Sequence, residues 1–264
     1  MSSPIPTPAL PAAFAILPVA HRALHDLAAG RPENSREAVR AAVEAGYGIE
    51  IDLQLSSDGA AMVFHDYTLD RVTAESGPVD ARHAAELAGI RLTGGESGIP
   101  TFAEVLELVG GRVPLLVELK DQDGRSAHAP GTLEAEAARV AAGYAGPIAF
   151  MSFNPAMVGR MAELAPEVPR GITTCAYEGS YFAHLGEDQR KALQDMAFVT
   201  PTGSSFVSHE AADLARPSVQ ALRQAGLTVL CWTIRSPEAE AEARALSDNI
   251  TFEHYRAAFP AAIG

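Results

Sequence analysis

The chain has 264 residues, 47% of them hydrophobic and 20% charged, enough apolar surface to bury a core and too few charges for a disordered polyampholyte. Its 20 Lys and Arg against 33 Asp and Glu give a formal net charge of −13, which excludes wrapping nucleic acid or adsorbing to anionic lipid, since both need an extended basic surface. The two cysteines, Cys175 and Cys231, form no CxxC spacing, so they read as buried small hydrophobes rather than as a disulfide or zinc framework.

In chain order, AFAILPVAHR reads as a first strand and ENSREAVRAAVEAGYG as the helix after it. Asn34 is placed to cap that helix with Glu37 three residues on, Val39, Ala42 and Val43 share a face, and Gly46 is its stop. GIEIDLQL is the next strand, and AAMVFHD a short one after an SDG turn. Past His65 the pattern loosens through SGPVD, the short helical ARHAAELAGI and the glycine-rich LTGGESGIP, an excursion from the main sheet. Order resumes with the helix TFAEVLELVGG, where Thr101 and Glu104 make a capping box and Phe102, Val105, Leu106 and Val109 recur at helical spacing. There follow VPLLVELK, TLEAEAARVAAG, GPIAFMSF, NPAMVGRMAEL, RGITTCA, a helix near GEDQRKAL, DMAFVTP, PSVQALRQAG, LTVLCWTI, SPEAEAEARAL and SDNITFE.

Strands therefore begin near Phe14, Gly48, Val113, Gly146, Arg170, Asp195, Leu227 and Asp248, about eight with helices between most of them. That is an α/β chain of the (β/α)8 TIM-barrel kind, which typically needs roughly 250 residues. A doubly wound open sheet is the rival, but no glycine fingerprint follows the first strand. With no short-period repeat and no low-complexity linker, residues 1–264 read as a single domain. The N-terminus lacks the basic start of a secretory signal and no apolar run reaches the roughly 18 residues of a membrane helix. The expected location is cytoplasmic, without membrane insertion.

In a barrel the chemistry belongs at the C-terminal ends of the strands. Along GIEIDLQL, Glu50 and Asp52 fall on one face by the period of two, and burying two like charges together costs several kcal/mol unless a cation compensates. VELK repeats the device with Glu118 and Lys120. Three carboxylates from neighbouring strands suit a hard divalent cation, Mg2+ or Ca2+ with Mn2+ also admissible, rather than zinc, for want of cysteine or clustered histidine among them. The plain alternative is an exposed edge strand that keeps its acids in water. His21 and His65 each end a strand beside the carboxylates and suit an acid–base pair. The other histidines, His25, His83, His128, His184, His209 and His254, read as ordinary surface residues. Arg22 and Lys120 add fixed positive charge suited to phosphate oxygens. A cation, two basic groups and an acid–base pair describe phosphoryl transfer better than glycoside hydrolysis, which needs two free carboxylates.

The elements HR at His21, PEN from Pro32, the stretch GYGIEIDLQLSSDGAAMVFHDYTLDRVT, IPTFAEVL, LLVELK, MSF and VLCWTI, in that order from about Pro18 to Glu253, resemble the glycerophosphodiester phosphodiesterases. The resemblance implies a TIM barrel with a small insertion after the second strand, fitting about residues 66–100. It implies one divalent metal on Glu50, Asp52 and Glu118, and phosphate on Arg22 and Lys120. His21 would be the base and His65 the acid in attack by a neighbouring glycerol hydroxyl, giving a cyclic phosphate that water opens. The substrate would be a small glycerophosphodiester, yielding sn-glycerol 3-phosphate and an alcohol. Phe153 and Trp232 resemble the aromatics lining the glycerol side of the pocket, with plain core packing as the other reading. Glu33 would support the loop near the metal.

The chain departs from the family pattern at Ala23, where HRG is usual, in the lengthened 23–31 loop, and at Glu253, where an aspartate is usual. Two further readings stay open. One is a lysophospholipase D or sphingomyelinase D-like enzyme, against which the lack of an apolar segment for a lipid tail speaks. The other is a non-catalytic barrel that binds phosphorylated ligands. The head group, native metal and oligomeric state are left open. The net charge argues against an anionic ligand, yet the site itself counts three carboxylates against two cations, and one divalent ion turns its balance to +1.

Overall fold

A computed structural model describes residues 7–122, 130–179, 182 and 185–260; His128 and His184 lie outside them. The strands are β1 (Val19–Ala20), β2 (Gly48–Leu55), β3 (Ala61–Val63), β4 (Leu115–Leu119), β5 (Ile148–Ser152), β6 (Arg170–Thr174), β7 (Phe206–Glu210), β8 (Thr228–Ile234) and β9 (Asn249–Phe252). All but β3 run parallel in the order β2, β4, β5, β6, β7, β8, β9, β1, and β1 pairs again with β2 to close a TIM barrel. The helices are α1 (Ala13–Ile16), α2 (Arg36–Ala45), α3 (Ala84–Gly89), α4 (Phe102–Val109), α5 (Thr132–Ala141), α6 (Pro155–Leu164), α7 (Glu187–Gln194), α8 (Pro217–Gln224) and α9 (Pro237–Leu246). Among the described residues no helix is long and apolar enough to cross a membrane.

Alternation along β2 sorts its side chains into two layers. Ile49, Ile51 and Leu53 face the surrounding helices, in one cluster with Val39, Val43, Val105 and Val109. The other face points into the barrel, whose interior holds an apolar cluster of Val19, Leu116, Met151, Phe206 and Leu230 with the ring of Phe14. That ring is fully buried, a contribution of about 1.5–3 kcal/mol. Asn249 ties α1 down by donating to the carbonyls of Phe14 and Leu17 at 2.7 and 2.6 Å. Beside and above this apolar plug inward positions turn polar: Glu50 pairs in register with Leu116, and Asp52 with Glu118 one layer further on. The acids of β2 and β4 thus lie at the level of Leu116 and beyond it toward the barrel mouth.

β1 is two residues long and on its β2 side pairs with only Gly48 and Ile49. The rest of that edge of β2, from Leu53 to Leu55, is taken by antiparallel β3. From β3 the chain enters the excursion, which carries a 3-10 turn at Val79–Ala81 and α3 and packs its own apolar group of Met62, Phe64, Leu69, Val79, Leu87, Leu92 and Ile99. Gly98 brings it back against α3 so closely that a Cβ there would meet the Ala88 carbonyl, an approach only glycine permits.

Three expectations are corrected. AFAI is a helical turn, and only Val19–Ala20 is strand; a short apolar run fits both patterns, and the turn ends at Leu17 because Pro18 disfavours helix before it. DMAFVTP is a run of turns, and the barrel strand is Phe206–Glu210. Met196 and Val199 join the core from that loop, while Ser208 and His209 hide the true strand from an apolar count. The cap of α2 is Ser35, accepting from the Ala38 N–H at 3.1 Å, because Asn34 takes φ +57° and turns its side chain elsewhere. Gly46 does end α2 in the left-handed conformation, and the Thr101–Glu104 capping box opens α4. Both cysteines are buried and free.

Candidate active site

Glu50, Asp52 and Glu118 converge inside the barrel mouth, their oxygens within 4.8 Å of one another and their residues 2%, 1% and 7% exposed. This is not an edge strand with its acids in water. Lys120 spans two of the three, its Nζ 2.8 Å from Asp52 Oδ1 and 2.7 Å from Glu118 Oε1. Burial alone would raise Asp52, but Lys120, His65 and Arg22 more than reverse it and hold the carboxyl below the usual range. Lys120 in turn stays protonated: burial would lower it, and Asp52 and Glu118 outweigh burial. Glu50 has no such partner close by. Burial, then the charges of Asp52 and Glu118, push it well above the ordinary glutamate value, against a single backbone hydrogen bond from Arg22. One lysine for three buried acids leaves a deficit of positive charge centred on oxygen donors, and the triad could hold a divalent cation.

The backbone after β1 is shaped to face these acids. Arg22 and Ala23 both take positive φ, +50° and +65°, so that the Arg22 N–H donates to Glu50 Oε2 at 2.8 Å and the Ala23 N–H to the Glu50 carbonyl at 2.9 Å. Left-handed backbone costs a non-glycine residue roughly 1–2 kcal/mol, which accounts for glycine being usual at the Ala23 position. Asn34, also left-handed, donates from Nδ2 to Asp52 Oδ2 at 2.9 Å. Arg22 lies over the same acid, its Nε 3.7 Å from Asp52 Oδ2 and without a hydrogen-bond acceptor among the described residues.

Each candidate histidine has a carboxylate at its back. His21 Nδ1 is 2.6 Å from Glu253 Oε2, and burial, opposed by that hydrogen bond, lowers its pKa. His65 Nδ1 is 2.6 Å from Asp66 Oδ1. Arg71 clasps Asp66 at 2.7 Å and Glu33 at 2.6 Å, and Glu33 accepts from Arg22 at 2.8 Å. A continuous chain of ion pairs therefore links the His65 side of the site to the arginine. Glu33 is part of that chain, its carboxyl lowered by Arg71 and Arg22 against the cost of burial. Phe153 and Trp232 meet edge to face, 5.7 Å apart, after β5 and in β8, over a patch of Cys175, Tyr177 and Leu193. The Trp232 indole N–H donates to the Ser208 carbonyl at 3.0 Å.

A profile of the glycerophosphoryl diester phosphodiesterase family matches residues 21–251. The chain belongs to that family. It is thus a phosphodiesterase by descent. Among its relatives is YhdW of Bacillus subtilis, named only provisionally as a glycerophosphodiester phosphodiesterase, 28% identical over 239 residues that cover 86% of this chain and 90% of that protein. A glycerophosphodiester phosphodiesterase of Caldanaerobacter subterraneus is 40% identical over 100 residues, 35% of this chain and 41% of its own. The structure of an Oleispira antarctica phosphodiesterase, solved with its product sn-glycerol-3-phosphate, superposes with a TM-score of 0.74 at 23% identity, covering 91% of this chain and 94% of that one, a likeness of fold.

The residue types at the strand ends give no sign of four residues that the structure brings to the candidate site: Asn34, Asp66, Arg71 and His25. Asp66 directly follows His65, the one signal that was available. His25 is not a plain surface residue, since its Nε2 lies 3.4 Å from Glu253 Oε2. Nor is His209, which is fully buried in β7 with Nδ1 2.8 Å from the Thr174 hydroxyl. The lengthened loop after Ala23, His25 included, lines a cavity of about 630 Å³ together with Glu33, Arg71 and His254.

Proposed function

We propose that this enzyme hydrolyses glycerophosphodiesters to sn-glycerol 3-phosphate and an alcohol, with one divalent cation, Mg2+, Ca2+ or Mn2+, held by Glu50, Asp52 and Glu118. The observation that carries the reading is the buried acid triad with a single lysine, flanked by two histidines that are each backed by a carboxylate. The cation, when bound, supplies Lewis acidity and charge neutralisation beside the phosphate. Arg22 and Lys120 hold the phosphate oxygens. The unsatisfied Arg22 Nε and the ammonium of Lys120 are the donors for them.

A proton on His21 Nδ1, donated to Glu253, leaves the Nε2 lone pair free, and the lowered pKa keeps the ring neutral. His21 takes the proton of the neighbouring glycerol hydroxyl as its oxygen bonds to phosphorus. The bond from phosphorus to the alcohol oxygen breaks, and His65 gives that oxygen a proton. Water then opens the cyclic phosphate with the proton transfers reversed. Phe153 and Trp232 offer the glycerol carbons an apolar wall. Both histidines being present with their partners favours turnover over a silent ligand-binding barrel.

Purified protein given glycerophosphocholine or glycerophosphoethanolamine should release glycerol 3-phosphate, lose this activity in EDTA and regain it with added cation. No release across a head-group panel with Mg2+, Mn2+ and Ca2+ would rule the substrate class out. Turnover of a lysolipid in preference to its deacylated counterpart would move the reading to a lysophospholipase D.

A further inference from the structure

Glu253 is the centre of a second group of metal-ligating side chains. Its Oε2 lies 2.6 Å from His21 Nδ1 and 3.4 Å from His25 Nε2, and one ligand atom from each of the three residues falls within 4.8 Å of the others. Two ligands of a tetrahedral zinc ion with bonds near 2.0–2.1 Å stand about 3.4 Å apart, so shifts of about an ångström at the side chains would close the set. Oε1 of the same carboxylate is occupied by Arg235 Nε at 2.8 Å, which keeps Oε2 turned toward the imidazoles. Glu253 and Arg235 cancel in charge and the neutral rings add none. Two imidazoles and one carboxylate are a donor set of charge −1 that zinc takes in proteins, and Arg235 offsets that charge from outside the set.

The chemistry separates this site from the acid triad. Two imidazoles and one carboxylate suit Zn2+, whereas three carboxylates suit Mg2+ and Ca2+. Access exists as well, because His25 lines the cavity of about 630 Å³ beside the barrel mouth, which has room for the water that completes a four-coordinate ion.

We propose that His21, His25 and Glu253 form a zinc site and that Zn2+ bound there switches the phosphodiesterase off. The switch rests on the reading of His21 as the base. An imidazole coordinated through Nδ1 carries its proton on Nε2 and has no lone pair left to accept one from a hydroxyl. Zinc thus disables the base without touching the triad.

The test uses Co2+ as an optical stand-in, added to protein whose acid triad is filled by excess Mg2+. Wild type should develop the strong visible absorption of four-coordinate Co2+, Zn2+ should displace it, and His25→Ala and His25→Gln should lack it. In parallel, Zn2+ should inhibit the Mg2+-loaded enzyme, more Mg2+ should not relieve the inhibition, and either His25 variant should need at least roughly tenfold more Zn2+. His25→Gln keeps bulk and polarity should the alanine variant fail to fold. No band in wild type, or the same band in both variants, overturns the site whatever the activity. A band with uninhibited turnover overturns the switch and with it the role of His21, while relief by Mg2+ shows zinc acting at the triad and overturns the proposal.

Discussion

The side-chain amide of Asn34 holds Asp52 from two directions, its Nδ2 donating to Oδ2 at 2.9 Å and its Oδ1 accepting from the Asp52 N–H at 3.4 Å. The contact requires φ +57° at Asn34, a conformation asparagine tolerates better than most residues. Replacing it separates the orienting role of the side chain from the backbone. Asn34→Gly keeps the turn and should weaken Mg2+ binding about 10–100-fold, as loss of a ligand-orienting partner does elsewhere, with turnover recovering at saturating cation. Unchanged Mg2+ affinity by calorimetry in Asn34→Gly would remove the amide from the site.

A cation taken up at Glu50 would be linked to protons. The Glu50 carboxyl is raised by burial and by the neighbouring acids, so the folded, cation-free chain keeps it protonated at pH values where the unfolded chain has ionised. Its contribution to stability is present below the ordinary glutamate value and is lost as pH rises through the folded value. Scanning calorimetry should show the cation-free Tm falling with rising pH in that window, and the gain in Tm on adding Mg2+ growing with pH. Glu50→Gln should flatten both trends; a Mg2+ gain independent of pH in wild type would contradict this.

The hydrogen bond that His21 donates to Glu253 opposes the effect of burial on the imidazole. Glu253→Gln leaves burial unopposed, so the acid limb of the kcat/KM profile, where the base loses its proton, should move to lower pH. Maximal turnover should fall as well, because the ring loses its charged anchor. A shift of that limb to higher pH would reverse the assignment of His21.

His65→Ala should lower turnover of a glycerophosphodiester of a simple alcohol by roughly 100-fold or more while Mg2+ affinity stays near wild type. An ester with a nitrophenol leaving group needs little protonation, so its turnover should fall far less. Equal losses on both substrates would argue against His65 as the acid.

Much of the fold and the placement of the acids was legible because it depends on spacing. Glu50 and Asp52 share a face of β2 by the period of two, Glu118 and Lys120 repeat it, and the parallel register brings Asp52 opposite Glu118. What spacing does not encode is backbone handedness and long-range pairing. Nothing local to Asn34 distinguishes a helix cap from a left-handed residue aimed at a barrel strand. Nothing near His25 announces Glu253, 228 positions away. β7 escapes an apolar count for a related reason: its Ser208 and His209 are polar yet buried, while the apolar DMAFVTP serves as a packed loop.

The brevity of β1 decides how the enzyme is partitioned. Since β1 and β3 divide one edge of β2, both histidines and their approach to the acids arise from a single fork of three strands, and only Glu118 and Lys120 come from the next strand round. Among the described residues, the arc from β5 to β8 carries none of the groups proposed to handle protons. Its strand-end loops are therefore free to diverge in shape and polarity, so new substrates can be acquired on one half of the ring while the reaction is preserved on the other.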